Sequence, residues 1–157
     1  MQVAIEYVIM VPVLIAQIFL LPYAASVMMN NWVESRRTIA LQEAASHLSS
    51  SLQQLYSSMN HDSITTGKVT YLTDLPIAIE DYPYTANASL RTTGSDSNGS
   101  RILEITIKCV SVGISTTTWA TFGNNMEWRS STFASNSTSG GVFAEKMANN
   151  TILMYFG

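Results

Sequence analysis

A single carboxylate, Glu6, lies inside an apolar run that extends over residues 3–29. The run contains no Lys, Arg or Asp, and Gln17 is its only other strongly polar residue. A charged side chain inside a bilayer-spanning helix costs about 3 kcal/mol, so a carboxylate in such a run has a partner or a role. The chemistry that Glu6 offers is an ion pair with a cation in an environment that contains little water.

Asparagine side chains offer a second chemistry, N-linked glycosylation. Charged residues make up only 12% of the chain, about half the usual share of a soluble protein. An exposed domain so poor in charge gains solubility from attached sugars, and unmodified polar loops are the alternative. The pattern N-x-[ST] occurs only after the apolar run, at Asn87, Asn98, Asn136 and Asn149.

Residue types that support catalysis or metal binding are sparse. The two histidines are His47 and His61, and His61 beside Asp62 does not form a set of metal ligands. The sequence has no Gly-rich phosphate loop, no HExxH and no nucleophile elbow. The lone Cys109 lies in the alternating run 102–110, which predicts a buried, inert thiol. We therefore predict a protein that is not an enzyme and that holds no metal and no cofactor apart from glycans.

Composition also limits the partners. The net charge is −3, from 8 Lys and Arg against 11 Asp and Glu. No basic run is present that would neutralise phosphates, which argues against nucleic acid as a partner. The length of 157 residues provides one domain in addition to the apolar run.

Helical periodicity dominates residues 1–60. The apolar part, residues 1–29, is called the stem, and it is long enough to cross a hydrocarbon core of roughly 30 Å. Residues 30–60 continue as an amphipathic helix that we expect to pack on the rest of the chain, because its stripe is too short for a coiled coil. Aromatic and basic residues suited to a membrane interface lie near the junction: Tyr23, Trp32, Arg36 and Arg37. The apolar stripe comprises Leu41, Ala45, Leu48, Leu52, Leu55 and Met59.

Residues 61–157, called the β domain, show strand patterns. In the run 101–110 the alternation places Leu103, Ile105, Ile107 and Cys109 on the core face. The number and spacing of such runs predict an α+β fold, in which the long hydrophobic helix forms the stem of a lollipop and a small antiparallel β sandwich forms its head. The predicted strands cover residues 68–73, 75–80, 86–93, 101–110, 112–122, 127–133, 142–147 and 151–156.

The start of the chain resembles the mature start of type IV pilins, in particular the archaeal adhesion pilins. In that family a Gln follows the processing site, a small residue comes two positions later, and a Glu and an aromatic residue follow. The matching residues here are Gln2, Ala4, Glu6 and Tyr7, and Ala4 departs from the usual Ser. The resemblance covers the stem and the layout of stem and head. It implies that a leader of the class III type has been removed next to Met1 or Gln2.

The resemblance implies a structural subunit of an extracellular helical filament that serves surface attachment. Glu6 would meet the positively charged N-terminal amine of its own or a neighbouring subunit during assembly, which agrees with the cost of an unpaired charge in an apolar filament core. The subunit would lie in the cytoplasmic membrane before assembly and on the cell surface afterwards. Implied partners are further copies of the chain, the membrane, a prepilin peptidase and an assembly machinery. Candidate residues for packing in the filament core are Tyr7, Val11, Leu14, Ile18 and Leu21.

Three alternatives stay open at this point. The chain could be a membrane-anchored binding module that never polymerises, although a plain anchor needs no Glu at position 6. It could be a secreted protein cleaved within residues 23–26, although the apolar run is long for a signal peptide and no basic segment precedes it. It could also belong to an archaeal swimming filament, whose subunits typically lack the Gln and Glu at these positions.

Overall fold

The computed structural model describes residues 2–72, 74–92, 99–138 and 140–157, and it describes the side chains of these residues except those of residues 2–6 and 72. One α-helix, α1, extends from Gln2 to Met59 and continues through Pro12 and Pro22. Eight strands follow: β1 Gly67–Leu72, β2 Thr85–Thr92, β3 Arg101–Cys109, β4 Ile114–Phe122, β5 Met126–Trp128, β6 Thr132–Ala134, β7 Gly141–Lys146 and β8 Ile152–Phe156. The prediction of one long helix followed by an antiparallel-rich β domain is therefore confirmed.

The strands form two four-stranded sheets. One has the order β1-β7-β8-β5 and the other has the order β4-β3-β2-β6. All strand pairs are antiparallel except β5 with β8, which is parallel. The chain separates into two compact units, Met1–Arg36 and Arg37–Gly157, so the second unit contains the end of α1 together with both sheets.

The core of the second unit lies between one face of α1 and the inner faces of both sheets. Leu48 and Leu52 of the helix are completely buried, as is Ile105 of β3, and they belong to one cluster that also includes Met154 of β8. The 4-3-4-3-4 spacing of the apolar stripe places it along one side of the helix, and this side is the buried one. The alternation of β3 places Leu103, Ile105, Ile107 and Cys109 inward, so the predicted core face and the buried thiol are both confirmed.

Aromatic side chains connect the inner faces of the two sheets. Phe133 of β6 lies 6.1 Å from Phe156 of β8, measured between ring centroids. Phe156 in turn meets Trp128 edge to face at 4.9 Å, and Phe133 lies 6.3 Å from Tyr84. Such contacts add to the free energy gained by burying large rings, so they hold the short strands β5 and β6 in place.

Two strand predictions were wrong. The predicted strand 127–133 is divided into β5 and β6, which belong to different sheets. The predicted strand 75–80 is absent, and only Ile79 forms an isolated bridge, with Tyr82. Pro76 cannot donate a backbone hydrogen bond, which disfavours a sheet strand at this position.

A tight turn replaces the second of these strands. Glu80 and Asp81 have φ angles of 47° and 70°. These angles lie in the left-handed region of backbone conformation, which costs conformational energy for residues other than glycine. The turn is held from the helix, because the Arg37 Nε atom lies 2.7 Å from Glu80 Oε2. The Arg37 guanidinium also lies 5.3 Å from the centroid of the Tyr82 ring.

A polar network fixes the end of α1 to the sheets. The Tyr56 hydroxyl donates to Asn125 Oδ1 at 2.6 Å and accepts from the Gly123 N–H at 3.1 Å. Asn125 Nδ2 donates to Asn60 Oδ1 at 2.9 Å and to the Asn150 carbonyl at 3.0 Å. A Cβ atom at Gly123 would collide with the Tyr56 hydroxyl, which explains the glycine at the end of β4.

A buried lysine caps the chain just after the helix. Lys146 is only 5% exposed, and its Nζ donates to the His61 carbonyl oxygen at 3.2 Å. The last turn of α1 contains no basic residue of its own. Because the carbonyl end of a helix carries partial negative charge, Lys146 supplies from β7 the cation that favours this end.

Replacing Tyr56 with Phe tests the polar network. The ring keeps its edge-to-face contact with Phe122, whose centroid lies 5.2 Å away, but the Asn125 and Gly123 hydrogen bonds are lost. We expect the free energy of unfolding to fall by about 1–3 kcal/mol, since two part-buried groups lose a hydrogen-bond partner. Chemical unfolding of the detergent-solubilised chain measures this, with Tyr71→Phe as the control at an exposed ring. Equal stability of the two variants would contradict the network's role.

Tyr84 gives a prediction about pH. It is 1% exposed, its hydroxyl donates to the Pro76 carbonyl at 2.8 Å, and burial raises its pKa from 10.0 to about 12. The stabilising contribution is complete below pH 10 and is lost as the pH rises through about 12, because the unfolded chain ionises first. The loss approaches about 1.4 kcal/mol for each pH unit in this window. We expect the stability difference between the wild type and Tyr84→Phe to shrink from pH 9 to about 12, and a constant difference would refute this.

Candidate functional site

The candidate functional site is the surface of the stem. Every large hydrophobic residue from Tyr7 to Met29 is exposed, with fractions between 41% and 73%. No Asp, Glu, Lys or Arg occurs between Tyr7 and Met29. The helix is long and apolar enough to cross a membrane, and its most apolar part is not buried within the described structure. A helix that is apolar on all sides is stable only where lipid or other protein covers it.

The five residues predicted to pack in a filament core lie on this surface. Their spacing of four and three residues places them along one side of α1. They are no more exposed than the apolar residues on the other sides, so the single chain does not distinguish their stripe from the rest. The five residues are Tyr7, Val11, Leu14, Ile18 and Leu21, and all are exposed.

The residues that carry the resemblance lie at the beginning of the helix. Gln2 is the first helical residue, and Ala4 and Glu6 follow within the first turns. The side chains of Gln2 and Glu6 and the whole of Met1 lie outside the described part of the structure. The pairing of Glu6 with an amine therefore stays a prediction. A carboxylate near the amino end of a helix is also favoured by the helix dipole.

Aromatic and basic side chains flank the stem at its far end. Tyr23 is 70% exposed and Trp32 is 61% exposed. The Arg36 guanidinium lies over the Trp32 ring, 4.9 Å from its centroid. Tyr and Trp beside arginine are the residue types that favour the boundary between hydrocarbon and water, so this end of the stem suits a membrane surface.

Three of the four candidate glycosylation sites are described, and all three are exposed. Asn87 lies in β2, and Asn136 lies in the turn after β6. Asn149 lies in the β7–β8 turn, where its Oδ1 accepts the Thr151 N–H at 3.1 Å, an Asx turn that leaves the side-chain nitrogen available. The fourth, Asn98, lies outside the described residues. The side chains of Asn87, Asn136 and Asn149 are therefore accessible, as glycosylation requires.

The described residues of the second unit line open clefts that include one of about 290 Å³ and one of about 280 Å³. Lys146 lies in the first, beside Asp62 and Asn150. His47 lies in the second, with Glu43. Within the described ranges, no three His, Cys, Asp or Glu side chains come together in a way that could hold a metal ion.

Comparison with known proteins identifies no relative. The chain matches no protein-family model, no curated protein and no solved structure. Its function must therefore be argued from its own residues.

A charge in the stem tests whether lipid covers this surface. Leu14→Arg places a guanidinium in the middle of the run, at a cost of about 3 kcal/mol in a bilayer. We expect a marked fall in the fraction of the chain that stays in the membrane pellet after alkaline carbonate extraction, measured by immunoblot. Leu14→Met is the matched control, because it keeps an apolar side chain of similar volume. Full retention of Leu14→Arg would show that the stem does not lie in lipid.

Proposed function

We propose that this chain is the structural subunit of an extracellular helical filament similar to type IV pili. Stems would pack against one another in the filament core, and the β domains would lie outside. The observation that carries the proposal is the stem surface, apolar on every side and between 41% and 73% exposed at its large residues. Membrane lipid can cover this surface before assembly and neighbouring stems can cover it afterwards, so transfer between the two need not expose it to water.

The residues at the beginning of the stem support a filament over a plain anchor. An anchor gains nothing from Glu6, since a carboxylate in hydrocarbon costs about 3 kcal/mol. A filament can recover this cost if the carboxylate meets the amine of a processed subunit, because the pair is then compensated inside the core. The order Gln2, Ala4, Glu6, Tyr7 supports this assignment through its likeness to archaeal pilins.

The β domain would give the filament its outer surface and serve attachment. Its three exposed sequons, at Asn87, Asn136 and Asn149, offer sites for N-linked glycans. We propose that the chain lies first in the cytoplasmic membrane and then outside the cell, and that its partners are its own copies, a prepilin peptidase and an assembly machinery. Catalysis and a metal cofactor form no part of this function.

The main alternative is a membrane-anchored module that never polymerises. The same exposed stem favours it, because a single membrane-spanning helix has the same surface requirements as a packed one. The two functions differ in what covers the stem in the mature state. A subunit of an archaeal swimming filament is a second alternative, disfavoured by Gln2 and Glu6.

The test is replacement of Glu6 in cells that express the chain. Glu6→Ala would leave the N-terminal amine in the filament core without its partner. We expect the yield of sheared filaments to fall by about tenfold or more, in line with the cost of an unpaired charge, while the subunit stays in the membrane fraction. Immunoblots of sheared and membrane fractions measure both quantities, and cryo-electron microscopy of the sheared material traces the stem. Gln17→Ala is the matched control, because it removes the other strongly polar side chain of the stem.

Two results would contradict the proposal in different ways. An unchanged filament yield for Glu6→Ala would reject the role of Glu6 but keep the filament. If wild-type cells show the chain only in the membrane and in no filament, the anchored module replaces the filament.

A further inference from the structure

One large aromatic side chain stands on a mostly polar sheet face, on which Ile102 of β3 and Ala134 of β6 are the apolar neighbours among the described residues. Trp119 of β4 is 62% exposed, and it points away from the core because its neighbour Ala120 is buried. Its backbone is fixed, since the buried Ser49 of α1 donates its hydroxyl to the Trp119 carbonyl at 3.2 Å. An indole held on a strand can contact a ligand at little cost in conformational freedom.

The Trp119 indole differs from the rings on the outer face of the other sheet in its neighbours. Among the described residues, no aromatic ring or cation lies over Trp119. On the outer face of the other sheet, by contrast, aromatic rings have such neighbours. There Phe143 and Tyr155 stack on each other at 5.2 Å, and Lys68 and Arg129 lie over these rings at 5.6 and 4.9 Å. Phe143 and Tyr155 therefore have stacked or cationic partners, whereas Trp119 has neither among the described residues.

Charged groups stand directly beside the indole. The strand register places Trp119 opposite Glu104 of β3, and Glu104 opposite Ser89 of β2. Arg91 Nη2 lies 2.8 Å from Glu104 Oε2, with side chains that are 69% and 24% exposed. The ion pair orients a carboxylate and a guanidinium with compensated charge, and the outer edge of the guanidinium still has donors for a ligand.

Hydroxyl groups continue the polar face in the next row. Thr117 of β4, Thr106 of β3 and Asn87 of β2 lie opposite one another, and the Oγ1 atoms of Thr106 and Thr117 are 3.3 Å apart. Neighbouring strands are about 4.8 Å apart. The face therefore presents small donors and acceptors in rows beside one aromatic ring.

We propose that this surface, the Trp119 face (Trp119, Glu104, Arg91, Ser89, Thr106 and Thr117), binds a neutral saccharide chain. A sugar ring has one side of C–H groups, which the electron-rich face of an indole attracts, and hydroxyls at its rim, which carboxylate, guanidinium and Thr groups can pair with. A protein partner fits less well, because interface cores need clustered apolar anchors. Glu104 compensates Arg91, and the exposed Lys108 on this face lies two rows from Trp119, so the surface directly beside the indole does not favour a strongly acidic ligand.

This inference goes beyond the proposed filament and holds equally for an anchored subunit. Asn87 lies one row from Trp119 on the same side of the sheet, so a glycan attached there would cover the face. The experiment therefore uses Asn87→Gln as its background, which leaves the face open to an added saccharide.

The test measures saccharide binding by the full chain in detergent. Cellohexaose, chitohexaose, maltohexaose and mannohexaose are titrated at up to millimolar concentration while tryptophan fluorescence is recorded, and isothermal titration calorimetry confirms any binding. We expect at least one of these neutral probes to bind, with an affinity at least tenfold lower in Trp119→Ala and reduced less in Trp119→Tyr. Glu104→Gln is expected to weaken binding with the indole still present.

The matched control is Trp32→Ala, because Trp32 is 61% exposed and lies outside the face. Circular dichroism shows whether each variant is folded, and Trp119→Tyr keeps the test decisive if Trp119→Ala is not. The proposal is overturned if no neutral hexasaccharide binds or if loss of Trp119 leaves the affinity unchanged. Filament yield is measured separately, so failure here leaves the filament untouched and failure of the filament leaves this result standing.

Discussion

Burial of one side of α1 against two sheets is the interaction on which the second unit, Arg37–Gly157, depends. Leu48 and Leu52 lie in the same cluster as Ile105 of one sheet and Met154 of the other. A four-stranded sheet with one apolar face needs a cover, and here each sheet finds it in the other sheet and in the helix. Loss of the helix would expose both inner faces, so the end of α1 is a structural part of the domain that follows it.

Directional contacts then fix where the helix meets the sheets. Hydrophobic burial has no direction, so it would tolerate a helix shifted along its axis. Tyr56 and Asn125 remove that freedom, since their hydrogen bonds join the last turn of α1 to the end of β4 and to the β7–β8 turn. Arg37 restricts the helix in the same way at the start of the second unit, through its ion pair with Glu80. The polar contacts are few but specific, and they hold a turn whose φ angles are otherwise unfavourable.

The same helix has the opposite surface in its first half. Residues from Tyr7 to Met29 have no cover within the described structure, although their composition is as apolar as a protein core. One continuous element thus satisfies its hydrophobic surface inside the chain at one end and requires lipid or further copies at the other. The proposed filament, with stems inside and β domains outside, would meet this requirement, and so would a membrane.

The sequence alone determined the features that depend on local periodicity. The stripe from Leu41 to Met59, the inward face of β3 and the burial of Cys109 follow from repeats of 3.6 and 2 residues, because a buried face imposes its period on the chain. The tertiary structure decided what depends on distant partners. Residues 75–80 are rich in residue types that favour strands, but they form only the isolated Ile79–Tyr82 bridge and end in a turn held by Arg37. Residues 127–133 resemble one strand, but their two halves belong to different sheets. The hydrogen bond between Tyr56 and Asn125 joins residues far apart in the sequence, and the strand register places Trp119 opposite Glu104. No local pattern encodes which strands become neighbours.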